Sequence, residues 1–184
     1  MSVAGLDPVP RFVTPWADPW VPEFIGTLLF VVRDDEVLLI HKKTGHGAGR
    51  INGPGGKLNA GESTAECAVR ETCEETGVIV APAAAVCGME MRFVEQDGPQ
   101  WLGFAFVARE HEGEAVETRE AQPFWCKVNA LPLTRMWPDD EIWLPSLLAD
   151  GHTLDAPRVG NFLFRRGELV AHEAVAEASV FAAW

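Results

Sequence analysis

Three glutamates, Glu71, Glu74 and Glu75, carry the densest chemistry in the 184-residue chain. Glu71 and Glu75 are four apart and Glu71 and Glu74 three apart, so on a helix all three carboxylates leave from one side. Like charges at these spacings repel by about 0.2–0.5 kcal/mol per pair, and carboxylates near a helix C-terminus also oppose the macrodipole. A cation offsets both costs. Carboxylate oxygen suits hard divalent ions, and magnesium commonly takes one or two carboxylates together with substrate phosphates. The triad therefore reads as a Mg2+ site, with Mn2+ as a substitute, in a phosphate-handling enzyme. A solvated acidic face is the alternative reading of the same residues.

The elements around these glutamates must hold them against a phosphate. Ser63-Thr64-Ala65-Glu66 has the form of a capping box, which predicts a helix starting near Ser63. Gly77 is the residue suited to a left-handed position just past its end. Upstream, Gly55-Gly56 follows a glycine-rich loop over residues 44–50, and such small residues let main chain approach a phosphate closely. Strand-forming runs at Phe24 to Arg33 and Glu36 to His41 flank Asp34-Asp35 and read as a hairpin. After the helix, Val78 to Val80, Ala84 to Phe93 and Trp101 to Ala108 read as extended, the last two joined by a turn at Asp97-Gly98-Pro99. A charged loop over residues 109–121 precedes a short strand from Phe124 to Val128. Trp137-Pro138-Asp139-Asp140 then opens a helix whose apolar positions are Ile142, Trp143, Leu147 and Leu148, with Pro145 limiting it. Arg158 to Arg166 and Glu168 to Val175 read as a closing hairpin.

With 47% hydrophobic residues and a mean hydropathy of +0.02, the chain suits one compact domain over residues 23–176. Residues 1–22 are punctuated by proline and carry Phe12, Trp16 and Trp20, which predicts an extended surface arm or a disordered terminus. Residues 177–184 form a tail. The net charge of −12 repels a long polyanion such as duplex nucleic acid, and no basic stripe offsets it. A small nucleotide arriving with its metal meets no such barrier. Cys67, Cys73, Cys87 and Cys126 lack metal-finger spacing and read as thiols of a reducing compartment, so a cytoplasmic location is expected. The longest strongly apolar run, Leu28 to Val32, is far short of the roughly 20 residues a bilayer requires. Asp7, Asp18 and four prolines in the first twenty residues do not read as a signal peptide. The expected assembly is a monomer or a homodimer.

The full spacing is Gly56-x5-Glu62-x7-Arg70-Glu71-Thr72-x-Glu74-Glu75-x-Gly77-Val78. It resembles the Nudix box. The resemblance implies the Nudix fold, an α/β (α+β) arrangement with a mixed β-sheet sandwiched between helices. By the same resemblance Glu71, Glu74 and Glu75 hold the metal, the main-chain carbonyl of Gly55 is a further ligand, and Arg70 is the structural partner of Glu62. Glu120 matches the late glutamate that often assists the metals or the water, an exposed loop charge being its alternative reading. Thr72 stands where the family carries a bulky aliphatic residue, which is expected to loosen the packing there.

Within the family, Lys42-Lys43, the segment Gly47 to Gly53 and the segment Met136 to Asp140 resemble the branch that hydrolyses oxidised purine nucleoside triphosphates. That resemblance implies Mg2+-dependent hydrolysis of 8-oxo-dGTP or 2-oxo-dATP to monophosphate and pyrophosphate, a nucleotide-pool sanitation role linked to DNA repair. Lys42, Asn52, Trp137, Asp139 and Asp140 match its substrate-binding positions, and Trp143 and Pro145 match its pocket wall. His46 and Pro54 stand where that branch has aromatic residues. The chemistry is coherent, since an indole face stacks on a purine while carboxyl and carboxamide groups read its edge. Core packing for Trp137 and helix capping for the aspartates are the plain alternatives. Two other functions remain open: hydrolysis of another nucleoside diphosphate derivative, such as a dinucleoside polyphosphate or a capped RNA end, and a catalytically silent domain that senses a nucleotide.

Overall fold

A computed structural model describes residues 21–96, 98–150 and 156–175. The arm expected over residues 1–22, apart from Val21 and Pro22, lies outside the described residues, as do the tail 177–184 and Asp97 of the expected turn.

Strand β1 (Phe24–Arg33) is apolar on both faces. Leu28, Phe30 and Val32 join one hydrophobic cluster, while Ile25, Leu29 and Val31 join another. A strand buried on both sides loses the polar alternation of a half-exposed one. The remaining strands are β2 (Glu36–Lys42), β3 (Ile51–Asn52), β4 (Gly55–Lys57), β5 (Val86–Glu95), β6 (Gln100–Ala108), β7 (Ala121–Lys127), β8 (Arg158–Arg165) and β9 (Glu168–Val175). Their order is β3-β2-β1-β6-β5-β8-β9, with β4 paired to β1 and β7 to β2. The sheet is mixed because β1 runs parallel to β6 and β5 parallel to β8, while the other pairs are antiparallel.

Helices α1 (Thr64–Thr76) and α2 (Asp140–Asp150) cover opposite faces, giving the expected sheet between helices. Ala68 of α1 packs with Leu29, Val31, Leu38 and Leu102; Trp143, Leu144, Leu147 and Leu148 of α2 pack with Phe30, Met91 and Phe162. Both expected ends of α1 are present. Ser63 and Glu66 close a reciprocal capping box, and Gly77 sits left-handed at φ 76° with its N–H on the Cys73 carbonyl. Thr72, expected to loosen the packing, is fully buried, and its hydroxyl donates to the Ala68 carbonyl at 2.8 Å. The helix thus satisfies the polar atom internally.

Three expectations change. Pro145 lies inside α2 and does not limit it. An interior proline costs roughly 3 kcal/mol, whereas burying four large apolar side chains contributes about 1.5–3 kcal/mol each, so packing wins. Strand β7 begins at Ala121, three residues before the expected Phe124, because Ala121 and Gln122 pair with Lys42 and His41. Val78 to Val80 forms a single bridge, Ile79 to Glu112, and no strand of its own.

The register of β1 positions the site. Gly26 to Leu28 pairs with β4, whereas Val32 and Arg33 pair with β2, so the two partners part company along one strand. Gly55 is packed so tightly there that an added Cβ would lie 2.0 Å from the Thr27 carbonyl oxygen. Only glycine fits.

Candidate active site

The acidic side of α1 faces β4. A Cβ on Gly56 would fall 2.2 Å from the Glu71 carboxyl carbon, so the missing side chain is the space the carboxylate occupies. One turn on, Glu75 is fully buried. Its Oε2 accepts from the Gly55 N–H at 2.9 Å, and its Oε1 pairs with the Lys42 ammonium. Burial raises the Glu75 pKa, and Lys42 and the Gly55 N–H oppose that rise.

Arg70 organises the other carboxylates. It grips Glu62 with two bonds, Nε to Oε2 at 3.0 Å and Nη2 to Oε1 at 2.7 Å, which makes it the partner the resemblance implied. This guanidinium draws the Glu62 pKa down to about 2. The same Arg70 reaches Glu71 at 2.8 Å and Glu74 at 3.2 Å. With Arg70 on two glutamates and Lys42 on the third, the described residues contain no converged group of three acidic, His or Cys side chains able to hold a metal. The donor set nevertheless fits a hard cation. Glu71, Glu75 and the Gly55 main chain meet at one corner, nearly all their free donors are oxygen, and the cradle would vanish with any side chain at 55 or 56.

Glu120 is not in that corner. It is exposed and does not line the cleft, because its loop turns the backbone inward instead. The Glu120 carbonyl accepts from the Lys43 N–H at 2.8 Å, and the Thr118 hydroxyl donates to the Glu75 carbonyl at 3.1 Å. The loop therefore braces the end of α1 and the strand that carries Lys42.

From this corner a cleft of about 730 Å³ runs to the N-terminus of α2. Lys42, Asn52, Trp137, Asp139 and Asp140 all line it, as does Glu71. Both aspartates are buried. Asp139 accepts from the Trp143 indole N–H at 2.8 Å, and Asp140 accepts from the Trp137 N–H at 2.9 Å. Asp140 thus lines the cleft and also ties down the turn from Trp137 that leads into α2. Burial raises both pKa values, and the neighbouring Asp139 charge pushes Asp140 further up. Asn52 accepts from the Gly53 N–H through Oδ1 at 2.8 Å. The Arg50 guanidinium lies 4.4 Å from the centre of the Trp137 ring and donates to the Met136 carbonyl at 3.0 Å.

Trp101 and Lys57 also line the cleft, and neither was expected there. The Lys57 ammonium sits 3.6 Å from the Phe24 ring and 4.9 Å from the Trp101 ring. The signal for Trp101 was its period-two alignment with Gly103 and Ala105, small residues that leave room on that face of β6.

A glycine pair braced against an acidic helix, in a mixed sheet covered by helices on both faces, defines the class. The NUDIX domain description matches residues 23–147, and the chain belongs to the Nudix family. It is a hydrolase of nucleoside diphosphate derivatives, in a family that generally uses a divalent metal. Among characterised relatives, it is 37% identical over 122 residues to the oxidized purine nucleoside triphosphate hydrolase of Danio rerio, covering 66% of this chain and 78% of that protein. The Mus musculus enzyme of the same description is 37% identical over 123 residues, with the same coverage of 66% and 78%. In three dimensions the chain resembles the mutator MutT protein of Bacillus halodurans, at a TM-score of 0.70 and 30% identity over 84% of this chain and 99% of that one. No helix among the described residues is long and apolar enough to cross a membrane.

Proposed function

We propose that the protein hydrolyses purine nucleoside triphosphates to monophosphate and pyrophosphate, with 8-oxo-dGTP and 2-oxo-dATP preferred over their normal counterparts. The observation that carries this reading is one continuous cleft with buried Asp139 and Asp140 beside Trp137 at one end and Glu71 at Gly56 at the other. Its volume of about 730 Å³ is within the range of small-molecule sites. The zebrafish and mouse relatives, whose descriptions name oxidised purine nucleoside triphosphates, support the same substrate class.

In this mechanism Glu71, Glu74, Glu75 and the Gly55 carbonyl would hold Mg2+, or Mn2+ in its place. When bound, the metal neutralises phosphate oxygen charge and polarises the phosphorus under attack. For Glu71 and Glu74 to serve as ligands, Arg70 would have to give up its contacts with them, and its two bonds to Glu62 would hold it in place. Lys42, freed from Glu75, turns its ammonium toward the phosphate chain. One of Glu71, Glu75 and Glu120 orients the attacking water and takes its proton, and Glu120 serves only if its loop swings inward. Trp137 stacks on the base, while Asn52, Asp139 and Asp140 read its edge.

Discrimination between bases follows from protonation. A neutral carboxyl donates to a ring carbonyl, whereas an ionised one only accepts from ring or exocyclic N–H groups. A mismatched purine leaves a buried group unpaired, at a cost of about 1–3 kcal/mol. This service to the nucleotide pool places the enzyme upstream of DNA repair. A substrate panel with Mg2+, scored for pyrophosphate against orthophosphate, tests the proposal. The highest kcat/KM is expected for an oxidised purine triphosphate with pyrophosphate released; a dinucleoside polyphosphate or capped RNA ranking first would replace it.

A further inference from the structure

The imidazole of His46 is stacked between two indoles. Its centroid lies 4.9 Å from that of Trp101 at an interplanar angle of 25°, and 5.2 Å from that of Trp137 at 16°. These separations and near-parallel planes are those of stacked aromatic pairs. We propose that Trp101 and Trp137 are the two plates of one stacking slot, and that His46 fills it until a nucleobase displaces the imidazole. The inference rests on the reading of this end of the cleft as a base site.

Three observations carry it. The first is chemical shape: an imidazole is the five-membered half of a purine, so a slot that seats His46 between two rings has the thickness and the π-character a purine face requires. The second is how weakly the plug is held. His46 is exposed on its outer side, and among the described residues its ring makes no hydrogen bond, so stacking alone keeps it in place. Burial, then the Lys57 and Lys42 charges, lower its pKa, which keeps the ring neutral near pH 7 and lets a neutral base replace it without moving a charge.

The third observation is the carrier. Gly45, Gly47 and Gly49 have φ of 74°, 81° and 88°, a region that other residues enter only with strain. The loop is clamped at its foot, where Lys42 N–H donates to the Arg50 carbonyl at 3.0 Å and Gly49 N–H to the Lys42 carbonyl at 2.8 Å. A Cβ on Gly47 would lie 3.4 Å from the Trp137 ring, so the backbone beside the plug already touches one plate. His46 is thus delivered to the slot by a short strap with a fixed base.

The test is binding of dGMP and of 8-oxo-dGMP to the full chain without metal, read by calorimetry and by the imidazole C–H signals in NMR spectra. Comparison with His46→Ala identifies the His46 signals among the five histidines. In the free protein they should be displaced upfield by the indole ring currents, and saturation with either nucleotide should return them to unstacked positions. His46→Ala should bind several-fold tighter, because nothing has to leave. Trp101→Leu, which keeps bulk without the indole face, should bind about 10-fold more weakly and abolish part of the upfield displacement. Histidine signals unmoved at saturation, weaker binding by His46→Ala, or an unchanged Kd in Trp101→Leu would each overturn the slot. If both nucleotides bind alike and both weaken in Trp101→Leu, the slot stands and the preference for oxidised purines falls. If 8-oxo-dGMP is preferred while Trp101→Leu has no effect, the preference stands and the slot falls.

Discussion

Buried carboxylates sit at both ends of the cleft, but their surroundings oppose each other. At the phosphate end, burial of Glu75 is countered by the Lys42 ammonium and the Gly55 N–H. At the base end, burial raises the pKa of both Asp139 and Asp140 and the Asp139 charge pushes Asp140 further up, against N–H donors and the charge of Arg50, which forms no ion pair with either among the described residues. A carboxylate with a cation beside it stays ionised and can exchange that cation for another. A carboxylate beside its like is pushed toward the neutral acid, which gives it a proton to donate. One family of side chains thus serves charge at one end and hydrogen-bond pattern at the other.

Removing a charged ligand should break the phosphate end most severely. Glu75→Gln and Glu74→Gln are expected to lower kcat by about 10²–10³-fold with the fold retained. Steady-state kinetics at saturating Mg2+, with circular dichroism as the control, reads this; near-normal turnover in both would remove the metal-site assignment. Gly56→Ala sharpens the contrast by steric means alone. Its methyl must displace the Glu71 carboxyl, so a loss of about 10²-fold in turnover is expected without any charge change.

Changes at the base end should be smaller and selective. Asp139→Asn and Asp140→Asn are expected to alter the ratio of kcat/KM between 8-oxo-dGTP and 2-oxo-dATP by about 10-fold, by different factors, and to leave the Mg2+ dependence intact. Superimposable pH profiles and constant ratios would reduce both aspartates to helix capping.

The smallest effects are on stability, and they run in opposite directions with pH. Asp140 has a raised folded-state pKa, so its contribution to stability is full below its ordinary value of 3.8 and is lost as pH rises through the folded value. Asp140→Asn escapes that loss. It should raise Tm by about 2–4 °C at pH 7, and the gain should shrink as pH falls toward 4. Glu62 has a depressed pKa, so the stability from its Arg70 pair is present above 4.5 and is lost as pH falls through about 2. Glu62→Gln should therefore flatten the acid limb of a thermal-melt series while leaving the slope near pH 7 unchanged.

Much of the phosphate end was legible from residue order. A capping box, a terminal glycine and three glutamates at helical spacing depend on neighbours within one or two turns, and local backbone geometry realises them as written. The mixed sheet between helices followed from resemblance to the family, and the hairpins from strand-forming runs broken by turn residues. The base end was legible only as a set of names. Trp137, Asp139 and Asp140 were expected there, yet nothing in their order places Trp101 and His46 against them, because those contacts join strand β6, a glycine loop and the start of α2.

Residue order along α1 specified which glutamates share a face, since helical pitch is a local property. Folding specified what each of them meets. Arg70 takes Glu71 and Glu74, Lys42 crosses from β2 to take Glu75, and Glu120 is left facing solvent. Pro145 was allowed inside α2 because the helix buries four large side chains against the sheet, a gain invisible until the layers are assembled. The physical reason is common to all these cases. Periodicity and capping are set by interactions a few residues long, whereas charge pairing, burial and ring stacking depend on which distant segments the sheet brings side by side.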